Sequence, residues 1–153
     1  MKTFLEHLNQ GRLHQIARKA LKLSPRGCVR NDVLVLSKLS KVSDQELQLE
    51  WLARDIHPWD RDLPAPDQAE LFCQQALQDT ESAILRLFRM LPDIAQINFR
   101  VLDPHASNRV ILAGNVERGE ISWACRLGSI KMRLLMMGVR FLMASGHLEP
   151  LAA

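Results

Sequence analysis

Residues 47–53 read Leu-Gln-Leu-Glu-Trp-Leu-Ala, and this stretch decides how the chain folds. Apolar Leu47, Leu49 and Trp51 alternate with polar residues. Successive side chains of a β-strand point to opposite faces, so the alternation predicts a strand with one buried and one wet face. Such a strand needs other strands beside it and a layer of side chains against its buried face.

The neighbouring segments supply three further predicted strands. Residues 32–42 are rich in valine and leucine, and the turn at 43–45 connects them to the strand above as a hairpin. Residues 97–101 and 110–116 also alternate in polarity, and residues 103–108 between them have the composition of a turn. Because an isolated hairpin is only marginally stable, the two hairpins are expected to join in one sheet.

Three predicted helices separate and follow these hairpins. The first spans residues 3–23 and the second residues 66–91, while the third begins near Glu120 or Ser129 and ends at Met143. The order is therefore α-β-β-α-β-β-α. The predicted fold class is α+β, with a four-stranded antiparallel sheet packed against helices in one domain spanning residues 1–153.

The composition indicates a globular chain of ordinary type, with 153 residues, 47% of them hydrophobic and 24% charged. No secretory signal begins the sequence, and the cysteines Cys28, Cys73 and Cys125 lie far apart, so a cytoplasmic location is expected. Glycine-rich phosphate loops, nucleophile elbows and C-x-x-C pairs do not occur. The sequence therefore predicts no catalytic residues and no cofactor.

Charge is unevenly distributed along the chain. Residues 12–41 contain eight basic residues and one acid, whereas residues 44–93 contain eleven acids and four arginines. Two interpretations are open: the basic and acidic thirds pair with each other, which is favoured, or the basic third binds nucleic-acid phosphates. The second interpretation would use Arg12, Arg18, Lys19, Lys22, Arg26 and Arg30.

Residues 54–62 combine three carboxylates, a histidine, two arginines and a tryptophan. Asp55, His57 and Asp60 are weak candidates for metal ligands, since carboxylates with an imidazole suit several divalent ions. The favoured interpretation is structural, with Trp59 filling the edge of the core and the arginines paired with aspartates. A metal-dependent enzyme is accordingly the least favoured function.

The last predicted helix is apolar on more than one side, so more than one neighbour must cover it. We therefore expect a non-enzymatic protein-interaction module, a subunit or adaptor whose partner is another protein or a second copy of the chain, with no membrane involved. Large buried side chains dominate interface energies. The predicted interface residues are Leu134, Met137, Phe141, Met143 and Trp59.

Overall fold

A computed structural model describes residues 4–22 and 34–152, with the side chains of residues 4–8 excepted. The described helices are α1 (Phe4–Ala20), α2 (Ala65–Met90), α3 (Arg118–Ala124) and α4 (Ile130–Met136), and a 3-10 turn spans Pro58–Asp62. The described strands are β1 (Val35–Lys41), β2 (Glu46–Leu52), β3 (Gln96–Leu102), β4 (Val110–Glu117), β5 (Val139–Arg140), β6 (Leu142–Ala144) and β7 (His147–Glu149). The α+β class is confirmed.

The main sheet has five strands in the order β1-β2-β3-β4-β5, and a separate hairpin pairs β6 with β7. The predicted antiparallel four-stranded sheet is wrong at its centre, because β2 and β3 run parallel while the other neighbours are antiparallel. A parallel pair needs a long crossover between its strands. Helix α2 is that crossover, about 39 Å long at 1.5 Å per residue, and it returns the chain to the end of the sheet where β2 begins.

Two backbone contacts fix the start of β3 beside the start of β2. The amides of Ala95 and Gln96 both donate to the carbonyl oxygen of Gln45, at 2.8 and 3.0 Å. Gln96 is then opposite Glu46, and the pairing continues without a shift to the end of both strands.

One face of the sheet carries the core and the other is largely polar. Trp51 stacks on Phe99 with ring centroids 5.1 Å apart on the core face, and Leu47 lies beside Ile97. On the polar face, Glu50 lies between Lys38 and Arg100 and is 3.5 Å from the Arg100 guanidinium. The rows of alternating side chains are thus aligned across the strands, as the alternation in polarity predicts.

The helices bury one stripe each against this core. Ala17 and Ala20 of α1 are fully buried, and α2 contributes buried apolar residues at helical spacing from Cys73 to Phe88. Small residues on α1 let its backbone approach α2 closely. The buried residues of α2 are Cys73, Ala76, Leu77, Asp79, Thr80, Ala83, Ile84, Leu87 and Phe88.

The C-terminal region departs from the predicted single helix. Two short helices, α3 and α4, are followed by Gly138, whose φ of +93° lies in the left-handed region that glycine adopts easily. A Cβ at Gly138 would lie 2.8 Å from the Asn115 carbonyl oxygen. The chain turns there into β5 and the β6–β7 hairpin, so Phe141 and Met143 are not helical.

None of the helices within residues 4–22 and 34–152 is both long and apolar enough to span a bilayer.

Candidate interaction surfaces

Exposed apolar side chains concentrate in the C-terminal region. Ten large hydrophobic residues are exposed in the described part of the chain, and six of them lie within residues 123–143. We call these six the C-terminal apolar surface, a name for the exposed apolar residues of this region and not for one contiguous patch: Trp123 of α3, Met132, Leu135 and Met136 of α4, and Leu142 and Met143 of β6.

Helix α4 presents its exposed residues as one stripe. Met132, Leu135 and Met136 have the i, i+3, i+4 spacing of one helix face, and each is about half exposed, at 49%, 50% and 52%. The opposite side of the helix is anchored, because Leu134 and Met137 are fully buried in the core. The orientation of α4 is therefore set by packing, and its outward stripe is apolar.

Arg133 fixes α4 against α2 through polar contacts. Its guanidinium donates to both carboxylate oxygens of Glu81, at 2.6 and 3.1 Å, and to the carbonyl oxygens of Leu127 and Gly128, at 3.0 and 2.9 Å. The hydrogen bond to Glu81 raises the pKa of Arg133. A bidentate pair of this kind defines orientation as well as contact.

The structure separates the five predicted interface residues. Leu134 and Met137 belong to the core, so the folded monomer cannot offer them to a partner. Phe141 is partly buried against the core, Met143 is 37% exposed, and Trp59 is 86% exposed. The spacing of Met132, Leu135 and Met136 in the sequence is the signal that points to the outward stripe instead.

The basic residues of α1 form a second surface. Arg12, Arg18, Lys19 and Lys22 are all exposed, and they lie on the side of the helix away from the buried alanines; we call them the α1 basic face. The other two predicted phosphate contacts, Arg26 and Arg30, lie outside the described residues.

Arg86 of α2 joins the end of α1 to α2. Its guanidinium donates to the carbonyl oxygens of Lys19, at 3.2 Å, and of Lys22. The last carbonyls of a helix have no partner within the helix, so an arginine there both satisfies them and suits the negative end of the helix dipole. This contact holds the C-terminal turn of α1 in a fixed position on α2.

The polar segment 54–62 lies where the parallel strands end, next to the loop that follows β3. Asp55 is 3.1 Å from Nε2 of His105 and 3.6 Å from the Arg61 guanidinium, and it accepts the amide proton of Ile56 at 2.8 Å. His57 accepts the amide proton of Trp59 at 3.2 Å. No pattern around His105 in the sequence points to Asp55, and the parallel arrangement of β2 and β3 brings the two residues together.

The predicted pairing of arginines with aspartates in this segment is confirmed, but the prediction that Trp59 fills the edge of the core is wrong. Arg54 donates to both carboxylate oxygens of Asp79, at 2.6 and 3.0 Å, and Arg61 faces Asp55. Trp59 points into solvent, and Ile56, at 6% exposure, is the buried residue instead. A short 3-10 turn holds Trp59 outward, since its amide is tied to His57.

No cluster of three or more histidine, cysteine or acidic side chains with a metal-binding arrangement occurs within residues 4–22 and 34–152. The weak candidates Asp55, His57 and Asp60 are accordingly not brought together as a ligand set, because Asp55 faces His105 and Arg61 while His57 faces the backbone of its own turn.

A groove of about 790 Å³ lies between α1, the end of β1 and the connection from α2 to β3. Its floor is apolar, with Leu13, Leu39 and Ile94, and its rim carries charges of both signs, including Arg12 and Asp93. The mixed rim gives the groove no preference for one ligand charge.

Comparison of the chain with protein-family models, with curated proteins and with solved structures gives no match.

Proposed function

We propose that this chain is a protein-interaction module, a subunit or adaptor of a larger complex, which binds its protein partner through the C-terminal apolar surface. The observation that carries the proposal is the outward stripe of Met132, Leu135 and Met136 on a helix whose other side is anchored in the core. An exposed apolar helix face of this kind is a common feature of protein-binding sites.

The residue types of the surface support a protein partner. Tryptophan and methionine are enriched at the centres of interfaces, and Trp123, at 69% exposure, is among the six residues. Methionine side chains adapt to irregular partner surfaces because they are unbranched and flexible. A standard interface buries about 800 Å² on each partner, so these six residues would form its centre and polar neighbours its rim.

Polar groups suited to form that rim lie on the same elements. Lys131 and Arg126 are exposed on α4 and just after α3, and the Arg126 guanidinium lies 5.8 Å from the Trp123 ring centroid. Charged residues at the edge of an interface set its specificity and association rate more than its affinity. Acidic residues on the partner would complement these two cations.

The test compares a triple variant with a matched control. Met132→Gln, Leu135→Gln and Met136→Gln together remove the apolar stripe, while glutamine keeps a good helix propensity. The control changes three exposed apolar residues outside the surface: Val35→Thr, Val42→Thr and Leu63→Gln. Both variants are expected to melt within a few degrees of the wild type, because the changed residues are exposed.

Binding is measured in two ways. Light scattering after size-exclusion chromatography, over a range of concentrations, shows whether a second copy is the partner. Affinity capture from nuclease-treated extract, read by quantitative mass spectrometry, shows whether another protein is. The expected result is an assembly formed by the wild type and the control but not by the triple variant. If all three proteins show the same mass and capture the same proteins, the proposal is wrong.

A further inference from the structure

We propose that the α1 basic face, Arg12, Arg18, Lys19 and Lys22, binds the phosphate backbone of nucleic acid without reading its sequence. This inference goes beyond the proposed protein interaction, because it uses a different element and a different kind of partner. It rests on four observations: the placement of the cations, the pairing of the acids elsewhere, the fixed position of the helix, and the burial of its apolar side.

The four cations fall on one side of α1. At 100° per residue they span an arc of about 120°, and the fully buried Ala17 and Ala20 lie outside it. Backbone hydrogen bonds from Leu21 to Ala17, at 3.0 Å, and from Lys22 to Lys19, at 3.2 Å, continue the last turn to Lys22. Arg12 and Lys19 are about 10 Å apart along the axis, a distance that covers roughly three phosphates of one strand.

Several acids of the middle third are paired with cations other than these four. Residues 9–22 contain no aspartate or glutamate, and none of the four cations forms an ion pair with an acid that the structure describes. Five of the eleven acids in residues 44–93 pair with other cations: Asp44 with Lys41, Glu50 with Arg100, Asp55 with Arg61 and His105, Asp79 with Arg54, and Glu81 with Arg133. Asp93 lines the same groove as Arg12 but forms no ion pair with it. Within the described ranges, no ion pair therefore neutralises the four cations of α1.

The basic face is held rigidly and is extended by α2. Ala17 and Ala20 pack in the core. The Arg86 guanidinium on α2 donates to the carbonyl oxygens of Lys19 and Lys22 at the end of α1. Arg89 follows Arg86 by three residues on the same side of α2 and is exposed. A preorganised cationic surface binds without the entropic cost of ordering a helix.

An anionic membrane is the less favoured partner for the same face. Helices that lie in a membrane surface insert an apolar side between the lipids, but the apolar side of α1 is buried in the core. Residues 9–22 also contain no aromatic residue and expose no large apolar one. Residues 9–22 therefore offer no phenylalanine, tyrosine or tryptophan for base stacking beside the four cations, so phosphate contacts would dominate there.

The experiment measures fluorescence anisotropy of a short labelled DNA duplex of mixed sequence with the full chain. With about four phosphate contacts, affinity should fall about 10²-fold between about 50 and 200 mM salt. The test variant carries Arg12→Gln, Arg18→Gln, Lys19→Gln and Lys22→Gln. The control carries Lys38→Gln, Arg61→Gln, Arg109→Gln and Arg140→Gln, four exposed positions elsewhere, so the net charge of the two variants is equal.

The expected result is that the test variant loses at least ten-fold in affinity at low salt and most of the salt dependence, while the control stays within about three-fold of the wild type. Circular dichroism confirms that both variants are folded. Equal losses in the two variants, no binding by the wild type at low salt, or tighter binding to vesicles containing phosphatidylserine than to DNA would each overturn the proposal. The α4 triple variant should bind DNA as the wild type does, so the two proposals fail separately.

Discussion

Arg118 connects three segments of the chain, and its replacement is the sharpest test of how the crossover helix is held. Its guanidinium donates to the carbonyl oxygens of Phe88 at 3.0 Å, Leu91 at 2.7 Å and Ile94 at 2.6 and 2.9 Å. It also lies 4.8 Å from the centroid of the Phe88 ring. One side chain at the start of α3 thus binds the carbonyl oxygens at the C-terminus of α2 and in the turn into β3.

The expected loss follows from these contacts. Arg118→Met keeps an unbranched stem against Phe88 but removes all the donors and the charge. Hydrogen bonds from charged donors contribute roughly 1.5–3 kcal/mol each, and water can replace part of this at a half-buried site, so we take about 1 kcal/mol for each of the three carbonyls. The free energy of unfolding should therefore fall by about 3 kcal/mol, which corresponds to a melting temperature lower by about 6 to 12 °C.

Two further variants separate the contacts of Arg118 from its charge. Arg118→Lys keeps the positive charge at the end of α2 but cannot reach all three carbonyls, so it should lose about 2 kcal/mol. Arg126→Met removes an exposed cation–π contact with Trp123 and should lose less than about 1 kcal/mol.

Urea unfolding followed by far-UV circular dichroism gives the free energies and shows whether the m-value is unchanged, as the comparison requires. A loss below about 1 kcal/mol in Arg118→Met, or an Arg118→Lys variant as stable as the wild type, would show that the contacts do not hold α2 as argued.

Two other predictions concern packing and pH. Gly114→Ala should lower the free energy of unfolding by about 1–3 kcal/mol, because a Cβ there would lie 2.9 Å from the Gly138 carbonyl oxygen. Gly119→Ala in α3 is the control, since a Cβ there meets nothing within 4 Å. In the same urea assay it should be neutral or stabilising by up to about 1 kcal/mol. Burial raises the pKa of Cys73, so the folded state keeps the thiol protonated and stability is lost as pH rises above about 8.5. Thermal melts from about pH 7 to 10 should show a steeper decline for the wild type than for Cys73→Ala, with Cys125→Ala as the exposed control; parallel curves would contradict the burial argument.

Local pattern was sufficient for the main elements as far as β4, but not for their arrangement or for the C-terminal region. The predicted second helix, residues 66–91, differs from α2 by one residue at each end, and the alternation at residues 97–101 lies within β3. Which strands become neighbours depends on where α2 returns the chain, and that is set by contacts such as those of Gln45 with the start of β3. Periodicity within a segment carries no information on such contacts, so the parallel pair was not predictable from it.

The same limit explains why the contact between the loops after β2 and β3 was not predicted. His105 follows β3 by three residues, and nothing near it in sequence suggests a carboxylate partner. The loops after β2 and β3 meet only because the two strands point the same way, and Asp55 then lies within 3.1 Å of the imidazole. A prediction of antiparallel strands would put these loops at opposite ends of the sheet.

In the C-terminal region the structure buries Leu134 and Met137, two of the predicted interface residues, and leaves Met143 exposed. The run from Leu134 to Met143 has more apolar residues than one helix can bury, and such an excess predicts an interface. The chain turns at Gly138, so Val139 enters the sheet while Leu134 stays in the core. Fewer apolar side chains of this run are therefore left exposed than a single helix would leave. Four of the six residues of the C-terminal apolar surface precede this turn, and Met143 is the one member of the six that was also a predicted interface residue. An unusual amount of apolar sequence therefore indicates that something must be covered, whereas the backbone decides which side chains the folded chain leaves for a partner.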